Sequence, residues 1–110
     1  MRVRPIAGAL GAIIEGVDLR EALSPALAGE IRQAWLEHLV IFFRDQPLSA
    51  AQFMRFARAM GEPVEYPFVK GLPDYPEIIQ VLKLPHERVN FGGIWHTDTA
   101  YLECPPMASI

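Results

Sequence analysis

Asn90-Phe91-Gly92-Gly93-Ile94-Trp95-His96-Thr97-Asp98-Thr99 is the stretch on which the fold and the chemistry of this chain turn. A glycine pair gives the backbone freedom. Trp95 adds a bulky wall, and Thr99-Ala100-Tyr101-Leu102 continues as a β-prone run. Alternate residues of a strand project to the same side, so a strand starting here aims His96 and Asp98 at one point. An imidazole nitrogen and a carboxylate oxygen are two of the three protein ligands of the 2-His-1-carboxylate facial triad, the arrangement that leaves open positions on a non-haem iron. The triad's third member is a second histidine from a distant strand.

Taken alone, His-x-Asp is a weak signal, because a surface histidine beside an aspartate is the commoner outcome. Two ligands also do not select a metal. The chain has only two other histidines. His38 stands where a helix runs into a buried strand and is expected to cap the last helical carbonyls. His86 sits beside Glu87 and Arg88 and is expected to be solvated. Cys104 reads as a small hydrophobe, since no histidine is placed to make it a nucleophile. Glu15, Glu65 and Glu103 show no pairing of the kind that two-carboxylate chemistry needs.

Composition narrows the class. The 110 residues are 51% hydrophobic and 21% charged, with a net charge of −3. That is globular and of single-domain size, so residues 1–110 are expected to belong to one domain. A weakly acidic chain without a basic run has no electrostatic reason to bind nucleic acid or an anionic membrane. Arg2 and Arg4 precede an apolar run from Ile6 to Ile14 that mimics a leader, but Gly8 and Gly11 interrupt it and Glu15 and Asp18 follow at once. With a single cysteine no internal disulfide forms, and a cytoplasmic location is expected.

The rest of the chain alternates strands and helices. Ile13, Glu15, Val17 and Leu19 share one side of a strand expected near 11–18. Ser24 then caps a helix over 25–37, with Pro25 at its first position. Leu27, Ile31, Ala34 and Trp35 make its apolar stripe, and Leu36 is assigned to the core with Trp35. Leu39 to Phe43 is a continuous apolar run, the pattern of a strand buried on both faces. Ser49 and Gln52 have capping-box spacing at the head of a helix over 50–60. Its expected stripe is Phe53, Phe56, Ala57 and Met60, with Gly61 closing it in the left-handed conformation. Prolines at 63, 67, 73 and 76 mark a loop, Glu77 to Lys83 returns to strand character, and a second loop leads to the His-x-Asp strand.

Several of these segments, in order, resemble the taurine dioxygenase and 2,4-dichlorophenoxyacetate dioxygenase family of iron(II)- and 2-oxoglutarate-dependent oxygenases. Trp95 to Pro106 resembles its metal-binding segment. Gly11 to Leu19 resembles its opening strand, His38 to Gln46 a core strand and turn, and Phe56 to Pro63 the end of its second helix. The resemblance implies an α+β chain carrying the N-terminal portion of a double-stranded β-helix, or jelly roll, with flanking helices. It implies a domain that is incomplete in this chain, since Pro105-Ile110 looks like the approach to another strand. It implies His96 and Asp98 as iron(II) ligands, with 2-oxoglutarate and O₂ as co-substrates. It also implies a small organic substrate, anions included, with succinate and CO₂ as products. The distal histidine and the arginine that grips 2-oxoglutarate are then expected beyond Ile110. Tyr66 aligns with a substrate-contacting histidine of taurine-specific members, a departure that puts taurine itself in doubt. Asn90 lies where members place a substrate-contacting amide, in a shifted register. Homo-oligomerisation is left open. A truncated remnant with weak metal binding, and a cupin-like enzyme with another metal, are the alternatives.

Overall fold

The computed structural model describes residues 1–90 and 92–110. The chain forms two compact units, Met1–Pro63 and Val64–Ile110.

The first unit is a small mixed sheet with two helices. β1 (Arg2–Pro5) runs antiparallel to β2 (Ala12–Glu15), with Arg2 opposite Glu15 and Pro5 opposite Ala12. β2 pairs in parallel with β3 (Ile41–Phe42), Ala12 opposite Ile41. The crossover between them is the helix α1 (Pro25–His38), and α2 (Ala50–Met60) follows β3.

β1 was not legible in the apolar run, because its own signal is short. Arg-Val-Arg alternates, Val3 is half-buried, and Glu15 on the next strand meets Arg4 at 3.0 Å and Arg2 at 3.8 Å. The expected 11–18 strand is shorter, ending where Gly16 turns to φ +73. That turn breaks the alternation. Ala12 and Ile14 face the core from one side of β2, and Leu19 re-enters it after the bend. Gln46 closes the bend by accepting from the Leu19 N–H at 2.9 Å and donating to the Val17 carbonyl at 3.1 Å.

Both helices begin as their sequences require. The Ser24 hydroxyl accepts from the Leu27 N–H, and Pro25 opens α1, where its missing N–H is harmless. Ser49 and Gln52 form the full capping box of α2. The core gathers Ile31 and Ala34 of α1, Met54 and Phe56 of α2, and the sheet's Ala12 and Ile14. Phe43 meets the Phe56 ring edge-on at 5.4 Å.

Four expectations need correction here. Met54, not Phe53, is the fully buried partner of Phe56. Leu36 is 55% exposed, because one residue past Trp35 the helix has turned its side chain away from the stripe. Gly61 has φ 175, an extended conformation, and the cap of α2 is the Gly61 N–H on the Ala57 carbonyl at 3.0 Å. The cap of α1 is likewise made by backbone, Leu39 N–H to Trp35 carbonyl at 2.7 Å with Leu39 at φ 64, in place of the His38 side chain.

The second unit is held by turns. Leu72 and Tyr75 form an isolated bridge, and the Ile78 carbonyl accepts from Leu72 N–H at 2.9 Å. A Cβ on Gly71 would stand 2.0 Å from the Pro76 carbonyl oxygen, so only glycine passes there. The strand expected over 77–83 is not formed, and Val81 and Leu82 are exposed. Nor is the expected strand after Trp95 formed. Trp95 to Asp98 run as irregular backbone into a turn closed by Leu102 N–H on the Thr99 carbonyl at 3.0 Å. A strand needs a neighbour to take its N–H and C=O groups. Among the described residues of this unit none is offered.

Candidate metal centre

The site is built from the loop Asn90 to Thr99, of which Phe91 lies outside the described residues. Gly92 adopts φ +65, in the left-handed region that glycine enters without a steric cost. A Cβ there would approach the His96 ring to 3.2 Å at Cε1. The glycine therefore both turns the chain and leaves room for the imidazole.

The imidazole is held at both nitrogens. Nδ1 lies 2.7 Å from the Ile94 carbonyl oxygen, which can only accept, so Nδ1 carries the proton. In the neutral ring Nε2 then bears the lone pair. That lone pair points at Asp98, whose Oδ1 is 3.2 Å away. Two electron-rich atoms this close need a cation between or beside them, either a proton on Nε2 or a metal ion.

The separation fits a metal. Imidazole nitrogens and carboxylate oxygens bind first-row divalent ions at about 2.0–2.2 Å, so two donors at right angles on one ion stand about 3 Å apart. Fixing Nδ1–H on a backbone carbonyl is the usual way a ligating histidine is oriented. Both side chains are accessible, with Asp98 the more open of the two. No group of three His, Cys, Asp or Glu side chains gathers among the described residues. The pair therefore offers two donors on one side, brought together by irregular backbone in place of the expected strand.

Of the other candidates, only Asn90 belongs to this loop. Asn90 packs against Gly93, its carbonyl accepting from the Gly93 N–H at 3.2 Å, and its Oδ1 accepts from Lys83 Nζ. Its amide is thus tied into the loop that delivers His96. Tyr66 is half-buried and meets the Phe68 ring at 5.5 Å. His86 is exposed, as expected, and Cys104, read as a small hydrophobe, is exposed too. His38 is half-buried in unit one, beside Met1, Val3, Glu30 and Glu37. Glu15 is occupied by Arg2 and Arg4. Sequence reasoning missed the Ile94 carbonyl as the group that sets the His96 tautomer. Its only trace in sequence is its place two residues before the histidine.

Residues 2–110 match the family described as "Taurine catabolism dioxygenase TauD, TfdA family". The chain belongs to that family. An alpha-ketoglutarate-dependent sulfate ester dioxygenase of Pseudomonas putida is 38% identical over 98% of this chain and 35% of its own length. A Burkholderia xenovorans protein provisionally named an alpha-ketoglutarate-dependent taurine dioxygenase superposes with a TM-score of 0.76 at 35% identity. That match covers 96% of this chain and 37% of that one. AAD-2, solved in complex with Mn(II) and N-oxalylglycine, superposes with a TM-score of 0.56 at 30% identity, over 57% of this chain and 23% of its own. This member of the TauD/TfdA family spans about a third of the length of the curated relatives it matches.

Proposed function

We propose that this chain supplies the histidine and carboxylate ligands of an iron(II), 2-oxoglutarate-dependent dioxygenase that hydroxylates a small organic molecule. The observation that carries this is the 3.2 Å approach of Asp98 Oδ1 to His96 Nε2, with Nδ1 already committed to the Ile94 carbonyl. Membership of a dioxygenase family supports it. On this reading the complete fold is a jelly roll, of which these residues form the N-terminal portion, and the enzyme works in the cytoplasm. No helix among the described residues is long and apolar enough to cross a membrane.

His96 offers one lone pair in one direction, because its tautomer and ring plane are set by a backbone oxygen. Asp98 adds negative charge on the same side, which favours a dication over a monocation. Gly92 keeps the space beside the ring clear. Bound there, iron(II) supplies the centre at which 2-oxoglutarate and O₂ react to give succinate, CO₂ and a hydroxylated C–H bond. The remaining protein ligand and the anchor for 2-oxoglutarate lie outside these residues.

The test uses the full-length protein. His96→Ala and Asp98→Ala should each abolish iron retention and 2-oxoglutarate-dependent succinate formation, while the far-UV spectrum stays that of the parent. Normal iron content and turnover in either variant would falsify the assignment. Iron bound normally by the parent without any succinate would favour the non-catalytic alternative.

A further inference from the structure

The loop that carries His96 and Asp98 is entered through a series of hydrogen bonds. The Leu84 N–H donates to Glu87 Oε2 at 2.8 Å, and the Glu87 N–H donates back to the Leu84 carbonyl at 3.0 Å. That reciprocal pair turns the chain, and Lys83 Nζ donates across the turn to Asn90 Oδ1. The Asn90 carbonyl accepts from the Gly93 N–H at 3.2 Å, and a Cβ on Gly93 would stand 3.0 Å from the Asn90 Cβ. Gly92 in turn lies against the His96 ring. Residues 81–90 and 92–98 are exposed throughout, with Val89 at 84% and Ile94 at 81%. Hydrogen bonds, and not apolar burial, therefore give this loop its shape.

We infer that Lys83 is a positioning residue for the metal site: its ammonium holds Asn90, Asn90 holds Gly93, and the glycine turn presents His96 to the ion. This rests on the metal assignment of His96 and Asp98 and adds a residue that acts on it from a distance. The charge of Lys83 alone works against the site, since a cation repels a dication wherever salt leaves the field unscreened. Its hydrogen bond works in favour. A loop already folded around Asn90 spares metal binding part of the entropy of ordering His96. An ammonium on an amide oxygen is also a charge-assisted bond, stronger than a neutral one. The two effects have opposite signs, so removing the ammonium tells them apart.

The experiment is an anaerobic titration of the full-length protein, freed of metal, with iron(II). Lys83→Met keeps the apolar stem and removes the donor, and it should weaken iron binding about fivefold, the scale of one net hydrogen bond. Lys83→Arg keeps a charged donor and should return the affinity to within about twofold of the parent. Asn90→Ala removes the acceptor and leaves the backbone carbonyl, so it should lose as much as Lys83→Met. The double variant should lose no more than either, because both substitutions break the same contact. Helical signal and melting should stay those of the parent in every variant. Iron binding that is unchanged or tighter in Lys83→Met overturns the inference, as does a loss that Lys83→Arg leaves as large, or losses that simply add. In each of those cases the parent still binds iron and the metal assignment stands. If Lys83→Met fails to fold, Asn90→Ala decides by the same measurement, with parent affinity overturning the inference. If the parent itself binds no iron, the metal assignment fails and the inference falls with it.

Discussion

At the scale of single residues, the proposed metal pair His96 and Asp98 depends on a position that carries no functional group. Gly92 combines a left-handed backbone with a close approach to the His96 ring. Gly92→Ala should disturb both, since left-handed backbone costs a residue with a Cβ about 1–2 kcal/mol. Iron affinity should fall about tenfold, measured by titration of the full-length protein under anaerobic conditions, while overall helicity is unchanged. A second residue-scale effect is electrostatic. Arg20 donates to Asp18 at 2.6 and 2.9 Å through its guanidinium, and again through its backbone N–H at 2.9 Å. These bonds hold the Asp18 carboxyl at about 2, below the usual carboxylate range. A carboxyl lowered by folding adds stability that is present above its unfolded value and lost as pH falls toward its folded one. The pair is exposed, so that stability is small and screened by salt. In Arg20→Ala the Asp18 carboxyl should titrate higher than in the parent but still below the usual aspartate range, because the backbone N–H at position 20 goes on donating to it; an unchanged value would show that the guanidinium is not the main cause.

Elements were legible from sequence in proportion to how local their causes are. Ser24-Pro25 and the Ser49/Gln52 box act within four residues, and both helices form where those signals place them. The strands were less legible because their partners lie elsewhere in the chain. β1 exists through Glu15 and Ile14 on β2, and the run Glu77 to Lys83 stays irregular without a neighbour. His96 and Asp98 stood out in the sequence as residue types at a spacing. Their geometry did not, since irregular backbone and the Ile94 carbonyl replace the expected strand. Two substitutions test the helix ends. Ser49→Ala removes one half of the capping box and should cost about 1 kcal/mol in urea unfolding. Leu39→Gly should instead stabilise by about 0.5–1 kcal/mol, because Leu39 holds φ 64 with its side chain largely in solvent. Loss of stability in Leu39→Gly would mean that its side chain is covered in solution.

At the scale of the whole chain, stability is distributed unevenly. In Met1–Pro63 two capped helices and a paired sheet enclose Ile31 and Met54. In Val64–Ile110 the backbone is held by isolated turns, and Val89, Ile94, Trp95 and Tyr101 stand open to solvent. Local opening is easiest where buried apolar contacts and protected hydrogen bonds are few. Amide exchange of the 110-residue chain should therefore be slow in α1, α2 and β2, and fast through residues 81–90 and 92–98. His96 and Asp98 lie inside that stretch, so on the proposed metal reading the ordering of the loop is drawn from the free energy of metal binding. With two protein donors and no third among the described residues, that free energy is modest. The isolated chain should bind iron(II) weakly, lose it on gel filtration, and form no succinate from 2-oxoglutarate and O₂. Its exposed apolar side chains should bind hydrophobic dyes, with helical signal melting over a broad range. A sharp cooperative melt with one retained iron and turnover would require a third ligand from His38, His86 or a second copy of the chain. Separate substitution of those two histidines, and the mass of the iron-loaded species, would then decide between them.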